Sequence, residues 1–414
     1  MKGNLKLQVQ DLLGPLRSMV ALVNGKAIIP SLNNVLLEKK EGNKYLYLTT
    51  SDGETWLKMK VPIIIEGEED IECSPFSCCI DAHKMRTSFD TLADMNIMAN
   101  ITFDDVKNTM TCNYGCGYFI LPLLPSTDYP QVQTNIDKDS DKYKMFTTSI
   151  VALQSNISHT SYAVANDSLR PQLNGVHFDA TKDGTLASVA SDGHLLSKFV
   201  GEAKMYGEEG QSPTCGDGGF TIPTRPIGIL STLLSFASKE GGDGEEDGKD
   251  DKITITYDDR TIIISTRLFM MTTRVMEHRF PDVERVIPQD NNYEVEVERE
   301  TFINALKRVS PLGNASSQLV VMKTNNMESS MLIMAEDLEY STSAKETLPL
   351  SYIDREGESL EIGVAGNLLQ MILRKMQGEY VTMKMKGESS PIIITPKDDM
   401  SHLVILMPMM IGKE

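Results

Sequence analysis

The stretches SDGETWLKMK (residues 51–60) and SDGHLLSKFV (residues 191–200) decide how this sequence is interpreted. The second places a serine, an aspartate and a histidine within four residues, which are the side-chain types of a hydrolase triad. The first repeats Ser-Asp-Gly without the histidine. A short sequence that recurs about 140 residues later indicates a repeated structural element, and this is a simpler interpretation than a catalytic group.

The surroundings of the two stretches match as well. LNNVLLEKKEGNKYLYLTTSDGETWLKMKV begins at Leu32, and LNGVHFDATKDGTLASVASDGHLLSKFV begins at Leu173. Both predict a strand, a glycine-containing turn, a second strand, the Ser-Asp-Gly turn and a third strand, because apolar residues alternate along them. A weaker third copy, LVVMKTNNMESSMLIMAEDLEYSTSA, begins at Leu319 and has Glu336-Asp337 in its turn.

Helical patterns recur around each copy. DLLGPLRSMVALV, SIVALQSNISHTSYAV and ETFINALKRVSPL precede the copies, while DAHKMRTSFDTLAD, TRPIGILSTLLSFAS and GNLLQMILRKMQG follow them. Their apolar residues have helical spacing and are expected to face a core. The order predicts an α+β protein with one architecture built three times. We place the domains at residues 1–137, 138–291 and 292–414, with boundaries in the polar stretches NIDKDSDKYK and PQDNNYE.

We interpret Ser-Asp-Gly as a structural turn, because aspartate and glycine supply turn chemistry. Residues an odd number apart on a strand point to opposite faces, so Ser191 and His194 are not expected to meet. The chain also lacks a Gly-x-Ser-x-Gly elbow. We therefore disfavour a hydrolase, predict no catalytic residue, and do not expect an enzyme.

The net charge of −18 argues against nucleic-acid binding by the whole surface. The segment KEGGDGEEDGKDDK (residues 239–252) contributes −4, because it holds seven acidic residues and three lysines. It has no apolar residue and is expected to be a solvated acidic insert. Any DNA contact must then use a local basic surface.

The cysteines are few for 414 residues, and they are Cys73, Cys78, Cys79, Cys112, Cys116 and Cys215. No apolar run approaches the roughly 20 residues of a membrane span, and MKGNLKLQVQ has no signal-peptide core. We expect reduced thiols, a cytoplasmic location and no membrane partner.

A zinc site built from Cys112, Cys116, Cys78 and Cys79 is a further alternative. However, TCNYGCGYF predicts a hairpin and has no Cys-x-x-Cys spacing. A Walker-type loop is also missing. We therefore predict no metal and no cofactor.

Four stretches carry a family resemblance: SLRPQLNGVHFD, ASVASDGHLLSK, RFPDVERVIP and the C-terminal VILMPMMI. In this order they closely resemble the bacterial DNA polymerase sliding clamp, the beta subunit of the replicative polymerase, over the whole chain. The resemblance implies three repeated clamp domains, with helices lining a central hole and antiparallel sheets outside. It implies a head-to-tail homodimeric ring that encircles duplex DNA without reading its sequence. The ring would be a processivity factor; the alternative is a β-rich protein-interaction scaffold without a DNA role.

The resemblance also implies a pocket for short peptides from the replicative polymerase, the clamp loader and repair proteins. Methionines and prolines make an adaptable apolar groove, and Arg285 and His194 can anchor polar peptide groups. The pocket residues implied are Leu173, Ser191, Gly193, His194, Leu196, Pro281, Arg285, Val286, Pro391, Leu406, Met407, Pro408 and Met409. The alternative is that Met407 and Met409 belong to an ordinary core.

Two departures from the family affect this pocket. Leu195 stands where the family usually has arginine after Asp-Gly-His. The chain also continues beyond the family's usual end, with Met410-Ile411 and then Gly412 to Glu414. We expect a more apolar pocket rim that the tail partly shields.

Basic residues on the predicted helices are expected to face DNA, the alternative being ordinary solvated helix faces. With Lys26 and Arg170, which occupy places where the family has DNA-contacting residues, the set is Arg17, Lys26, Lys84, Arg86, Arg170, Arg225, Lys307, Arg308, Arg374 and Lys375. Such contacts would go to phosphates. For the ring contact the resemblance implies Phe119 in YFILPLLP and Leu312 in SPLGN, although a core role for Phe119 stays open.

Overall fold

The computed structural model describes residues 2–23, 29–64, 75–131, 136–140, 143–167, 169–181, 183–207, 219–240, 252–291, 293–325, 327–353 and 359–411. Several residues named above lie outside this part: Lys26, Cys73, Cys215, residues 241–251 of the acidic insert, and Gly412 to Glu414.

In the described part of the chain, six α-helices form where the sequence patterns predict them. They are α1 (Val9–Leu22), α2 (Ala82–Asp90), α3 (Ile150–Thr160), α4 (Thr224–Glu240), α5 (Arg299–Val309) and α6 (Gly366–Lys375). Leu12, Leu16 and Met19 of α1 are fully buried, as are Phe302 and Leu306 of α5. The helical spacing of apolar residues therefore identified core-facing sides correctly. No helix among the described residues is both long and apolar enough to cross a membrane.

The strands of the described chain, in order, have the following bounds. They are β1 (Lys2–Gln8), β2 (Asn34–Lys39), β3 (Tyr45–Ser51), β4 (Trp56–Pro62), β5 (Phe76–Asp81), β6 (Met98–Asp104), β7 (Thr109–Asn113), β8 (Tyr118–Pro122), β9 (Leu124–Pro125), β10 (Lys144–Ser149), β11 (Gly175–Ala180), β12 (Thr185–Ser191), β13 (Leu195–Lys204) and β14 (Tyr206–Gly207). They continue with β15 (Phe220–Pro223), β16 (Lys252–Tyr257), β17 (Thr261–Ser265), β18 (Phe269–Arg274), β19 (Tyr293–Glu298), β20 (Leu319–Asn325), β21 (Ser330–Asp337), β22 (Thr342–Pro349), β23 (Tyr352–Ile353), β24 (Glu361–Ala365), β25 (Tyr380–Met385), β26 (Ile392–Pro396) and β27 (His402–Leu406).

The chain divides into two compact units. Unit one contains Met1–Gln154, Met205–Gly216 and Arg225–Glu277. It holds a ten-stranded sheet, in the order β14-β10-β16-β17-β18-β4-β3-β2-β5-β9, and a four-stranded sheet, β1-β6-β7-β8. Leu46 and Leu48 of β3 are fully buried, and the Thr50 hydroxyl donates to the Met19 carbonyl of α1 at 3.5 Å. The core of this unit therefore lies between the sheet and its helices.

Unit two contains Ser155–Lys204, Asp217–Thr224 and His278–Glu414. Its nine-stranded sheet has the order β15-β11-β12-β13-β27-β26-β25-β19-β23, and its four-stranded sheet has the order β22-β21-β20-β24. Val381, Met383 and Met385 share the buried face of β25, as their alternation predicts. Helices alternate with antiparallel sheets in both units, which confirms the α+β fold class.

The middle segment of the chain contributes strands to both units. Its β18 pairs with β4 in unit one, whereas its β13 pairs with β27 in unit two. Each of the two large sheets is therefore continuous across a predicted domain boundary. The division at residues 137 and 291 stays a prediction.

The Ser-Asp-Gly turn has the same geometry in both copies. Gly53 and Gly193 have φ angles of +99° and +90°, which favour glycine. The Ser191 hydroxyl donates to the Leu195 carbonyl at 2.9 Å and accepts from the Gly193 N–H at 3.1 Å. One Asp192 carboxylate oxygen accepts the N–H groups of His194 and Leu195 at 2.8 and 2.7 Å. These side chains are engaged in the turn, which confirms the structural interpretation over the triad.

Candidate functional site

An apolar cluster in unit two brings together part of the predicted pocket. Its buried members are Ala165, Leu173, Val189, Leu196, Phe280, Ile393, Leu403 and Ile405. Leu173 lies in the 3-10 turn Pro171–Leu173, and the strand register sets Leu196 of β13 opposite Ile405 of β27. Val283 and Ile287 pack against the cluster and are only partly buried. The cluster is an apolar floor with an accessible edge.

The C-terminal segment continues directly from β27, whose Ile405 belongs to this floor. The Met407 N–H donates to the His194 carbonyl at 2.8 Å, and the Met409 N–H donates to the Gly363 carbonyl at 2.8 Å. The Met407 side chain is 40% exposed, while Pro408 and Met409 are half-buried. These two bonds fix the backbone and leave flexible thioether groups at the surface, which suits an adaptable apolar contact.

The polar residues of the predicted pocket surround the Ser-Asp-Gly turn and the segment after β18. His194 and Gly193 are exposed, whereas Ser191 is only 9% exposed and serves the turn. The Arg285 guanidinium pairs with the Asp282 carboxylate at 3.0 Å, and its side chain is 84% exposed. Arg285 is therefore available to a ligand carboxylate or carbonyl.

Other predicted pocket residues differ in exposure. Pro281 is exposed, Val286 is 54% exposed, and Pro391 is half-buried just before β26. Leu406 is only 1% exposed and is paired with Leu195, on the face of the sheet opposite Leu196. The structure therefore places Leu406 away from the apolar floor.

The expectation that Leu195 makes the pocket rim more apolar is wrong. Leu195 is 1% exposed, because successive residues of β13 point to opposite faces and Leu196 takes the floor side. Met410, which is the other apolar departure from the family pattern, is at the surface with 96% exposure.

Sequence reasoning missed several residues of the floor. Val189, Phe280 and Ile405 are each at most 7% exposed. The signal was present in part, since Ile405 directly precedes the quoted Leu406 and Phe280 directly precedes Pro281. Which of Ile405 and Leu406 faces the floor depends on the pairing register, which the motif alone does not give.

The exposed charged side chains of the helices are mainly basic, although the chain is acidic. Among the helix side chains that the structure describes, a set that does not include Lys239 and Glu240, one carboxylate is exposed, that of Glu300. The exposed cations on the same helices are Arg17, Lys84, Arg86, Arg225, Lys307, Arg308, Arg374 and Lys375. The exposed charge on the helices is therefore opposite in sign to the net charge of −18, and this holds for helices of both units.

Some of these cations are already paired. Arg17 and Arg86 bond the two oxygens of Asp90 at 2.7 and 3.1 Å. Burial acts to raise the pKa of Asp90, but the hydrogen bonds from both arginines bring that pKa below its ordinary value. Arg225 pairs with Asp52 at 3.0 Å.

Arg308 bonds Glu346 at 2.9 Å. In contrast, Lys84, Lys307, Arg374 and Lys375 form no ion pair with a carboxylate in the described part of the chain. Arg170 is not on a helix; it pairs with Asp167 at 2.9 Å and lies against Gly193 of the turn.

Both four-stranded sheets end in strands with an open edge. Among described strands, β8 pairs with β7 alone and β22 with β21 alone. Tyr118 and Ile120 of β8 are 65% and 53% exposed, while Phe119 is half-buried with its ring 5.2 Å from Phe89. Leu312 is 41% exposed, and its carbonyl accepts from the Thr342 hydroxyl at the start of β22 at 2.9 Å.

The described cysteines are dispersed between core and surface. Cys112 is buried on β7, Cys116 is exposed, and burial raises the pKa of Cys79 to about 12. The TCNYGCGYF hairpin forms as predicted, by pairing of β7 with β8. In the described ranges no three His, Cys, Asp or Glu side chains come together as metal ligands would.

Comparison with known proteins identifies the family. Residues 4–133 match the model of the DNA polymerase III beta subunit N-terminal domain, and residues 284–410 match that of its C-terminal domain. The beta sliding clamp of Vibrio cholerae is 26% identical over 403 residues, which cover 97% of this chain and 98% of the relative. The beta sliding clamp of Escherichia coli is 25% identical over 400 residues, with coverage of 97% and 98%. The chain belongs to the bacterial sliding clamp family.

Solved clamp structures agree with this assignment. A sliding clamp from Pseudomonas aeruginosa, solved bound to griselimycin, is 25% identical and superposes with a TM-score of 0.82 over 99% of this chain and 100% of its own. A DNA polymerase III beta subunit from Thermotoga maritima has a TM-score of 0.81 at 21% identity, which shows the shared fold. This clamp is a processivity factor of DNA replication and not an enzyme.

A buried polar cluster lies on the face of the clamp's β13–β27 pair opposite the apolar floor. The His159 ring stacks on Phe199 at 4.1 Å, and the His402 ring meets His159 edge-on at 4.9 Å. The Ser197 hydroxyl lies 3.0 Å from His402 Nε2, whereas His402 Nδ1 is buried with no hydrogen-bond partner among described residues. Burial, followed by the neighbouring His159, lowers the pKa of His402 to about 3.

This cluster predicts acid lability. Because the folded pKa of His402 is about 3 against 6.5 for an ordinary histidine, its neutral form stabilises the fold fully above pH 6.5. That contribution is lost as the pH falls from 6.5 towards 3. By pH 5 the loss in the free energy of unfolding amounts to about 2 kcal/mol. Denaturant unfolding of wild type and His402→Gln at pH 7.5 and pH 5 measures it. The free energy of unfolding should depend less on pH in the variant than in wild type. Equal dependence would contradict the assignment of acid lability to His402.

Proposed function

We propose that this chain forms a head-to-tail homodimeric ring, with three domains per chain, that encircles duplex DNA. The observation that carries the proposal is the reversal of charge on the helices, whose exposed charged side chains, among those described, are eight cations and one carboxylate. Phosphate contacts of this kind are independent of sequence and weaken with salt, which is what a sliding ring requires. The bacterial cytoplasm is the location that we propose with it.

Open sheet edges support the ring contact. We assign it to β8 of one chain, with Phe119, and to the Leu312 region beside β22 of a second copy. Each edge carries exposed apolar side chains that would otherwise face water, including Ile120 at 53% and Leu312 at 41% exposure. Pairing between copies would cover both edges and would close the ring.

We further propose that the apolar floor binds short extended peptides of the replicative polymerase, the clamp loader and repair proteins. Leu173, Leu196 and Met407 supply apolar contacts, while Arg285 and the exposed His194 offer polar anchors. A ring that holds polymerase by such a peptide raises the effective concentration of polymerase at the primer end.

Charge reversal on α6 tests the DNA surface. Arg374 and Lys375 are exposed and carry no ion pair with a described carboxylate, so Arg374→Glu with Lys375→Glu should reduce affinity for linear duplex at least about tenfold at low salt. The slope of log affinity against log salt should become shallower by roughly two contacts. Fluorescence anisotropy across a salt series measures both quantities.

The matched control reverses the same charge on a strand. Lys384 and Lys386, near the end of β25, are 41% and 57% exposed. Lys384→Glu with Lys386→Glu also breaks the ion pairs of these lysines with Glu294 and Asp290, yet it should change DNA affinity less than about threefold, because neither lysine lies on a helix. Equal losses in the two double variants would show that net charge, and not the helix surface, governs binding.

A further inference from the structure

One wall of the proposed peptide site is a segment that reaches the sheet only through side chains. We call residues 279–287 the strap; they carry Pro281, Arg285 and Val286. In the described part of the chain, no backbone hydrogen bond joins the strap to the sheet. The bond from the Val286 N–H to the Val283 carbonyl, at 3.1 Å, stays within the strap. Side-chain contacts must therefore fix its position.

The firmest of these contacts is made by Phe280. Phe280 is 6% exposed within the apolar floor, and its ring stacks on His177 of β11 with centroids 5.0 Å apart and planes 9° from parallel. Farther along the strap, Lys198 of β13 forms an ion pair with Glu284. The Glu284 side chain is 68% exposed, so this pair contributes little.

A groove opens beside these contacts, although Val283 and Ile287 of the strap also pack against the floor. A groove of about 830 Å³ separates it from the sheet face formed by His177, Asp179, Ala187, Val189, Lys198 and Val200. Close packing normally holds a covering segment in place at many points along its length. Here the groove interrupts that packing, and the strap depends on a few side chains, which are Phe280, Val283 and Ile287 on the floor and Glu284 at the ion pair.

His177 is itself well fixed. Its Nδ1 lies 3.0 Å from the Thr221 hydroxyl of β15, its partner in the strand register. Burial lowers the pKa of His177 to about 4, and the nearby Arg279 is the second cause. The ring is therefore neutral near pH 7 and presents a flat, uncharged face to Phe280.

The first repeat fastens its corresponding aromatic residue differently. Tyr129, like Phe280, precedes a proline and is buried, at 5% exposure. Its hydroxyl donates to the Thr49 carbonyl at 3.3 Å, and its ring meets Trp56 edge-on at 6.2 Å. Phe280 has no hydroxyl, so the stack on His177 takes the place of that hydrogen bond.

We infer that His177 is a positioning residue for the peptide site: through Phe280 it holds the strap, and with it Pro281, Arg285 and Val286, at the edge of the apolar floor. The inference rests on the proposed peptide-binding function. It adds a residue that need not touch the peptide.

Substitution of His177 tests this role. His177→Ala should weaken binding of a labelled Gln-Leu-x-Leu-Phe-type peptide about three- to tenfold, the range expected for loss of an aromatic pair. His177→Phe keeps a stacking face and should restore affinity to within about twofold. Glu284→Gln removes the exposed ion pair and should change affinity less than about twofold. Fluorescence anisotropy gives these affinities, and thermal unfolding confirms that each variant is folded.

Hydrogen exchange provides a readout without peptide. The amides of Glu284 and Val286, which donate hydrogen bonds within the strap, should exchange faster in His177→Ala than in wild type, and His177→Phe should return them to the wild-type rate. Unchanged exchange and affinity in a folded His177→Ala protein would overturn the inference, as would a His177→Phe variant as weak as His177→Ala.

The experiments distinguish failure of the proposed peptide-binding function from failure of the positioning role of His177. If Leu173→Ala with Met407→Ala loses the peptide while His177→Ala binds normally, the peptide site stands and the positioning role is wrong. A wild-type protein that does not bind the peptide overturns both.

Discussion

Loaded onto a nicked circular plasmid by a clamp loader, this protein is expected to stay bound in about 0.5 M salt and to leave when the circle is cut. A closed ring is retained by topology, which salt does not weaken, whereas phosphate contacts are lost steeply as salt rises. For six to ten such contacts, affinity falls by roughly 10³–10⁵ between 50 and 200 mM salt. We expect the half-life on the circle to be at least about tenfold longer than on the linear form, measured by gel filtration of labelled protein on DNA.

Two variants separate topology from surface charge in this experiment. Arg374→Glu with Lys375→Glu should still be retained on the circle, because the ring remains closed. Phe119→Ala with Leu312→Ala removes apolar groups from the proposed ring contact and should be lost from both DNA forms. Equal retention of the wild-type protein on circular and linear DNA at high salt would show that binding is not topological.

Local features of the fold were predictable because short-range chemistry determines them. The Ser-Asp-Gly turn needs one carboxylate to accept two N–H groups and one glycine at positive φ, and both copies show this arrangement. The helices were predictable because their apolar spacing matches a single buried side.

Long-range pairing was not predictable from the same patterns. β4 pairs with β18 and β13 with β27, across about 200 residues in each case, and no local signal encodes such partners. The pairing register then buries Leu195 and Leu406 on one face and puts Leu196 and Ile405 on the other. A shift of one residue would exchange these faces. The motif therefore predicted which segments form the pocket, but not which of their side chains face it. The pairing of Arg225 with Asp52, far apart in sequence, is hidden for the same reason.

Truncation of the apolar floor is expected to abolish most peptide affinity. Leu173→Ala with Met407→Ala should weaken binding of a Gln-Leu-x-Leu-Phe-type peptide at least about tenfold. An anchor that fills an apolar pocket is commonly worth about 2 kcal/mol or more, and a tenfold change corresponds to about 1.4 kcal/mol. Leu173 is 7% exposed within the floor and Met407, directly after β27, is 40% exposed, so the double change removes one buried and one adaptable apolar side chain. Calorimetric titration of the peptide measures the loss.

The control must match both the burial and the chemistry of the change. Leu350 is also 7% exposed, and Met400 is 67% exposed; neither belongs to the apolar floor. Leu350→Ala with Met400→Ala should lower the unfolding midpoint as a buried leucine truncation does, yet bind the peptide within about twofold of wild type. Dimerisation should survive in both variants, because the ring contact is assigned to Phe119 and Leu312. If the floor variant bound as tightly as this control in a folded dimer, the peptide-site assignment would be wrong even for a protein that encircles DNA.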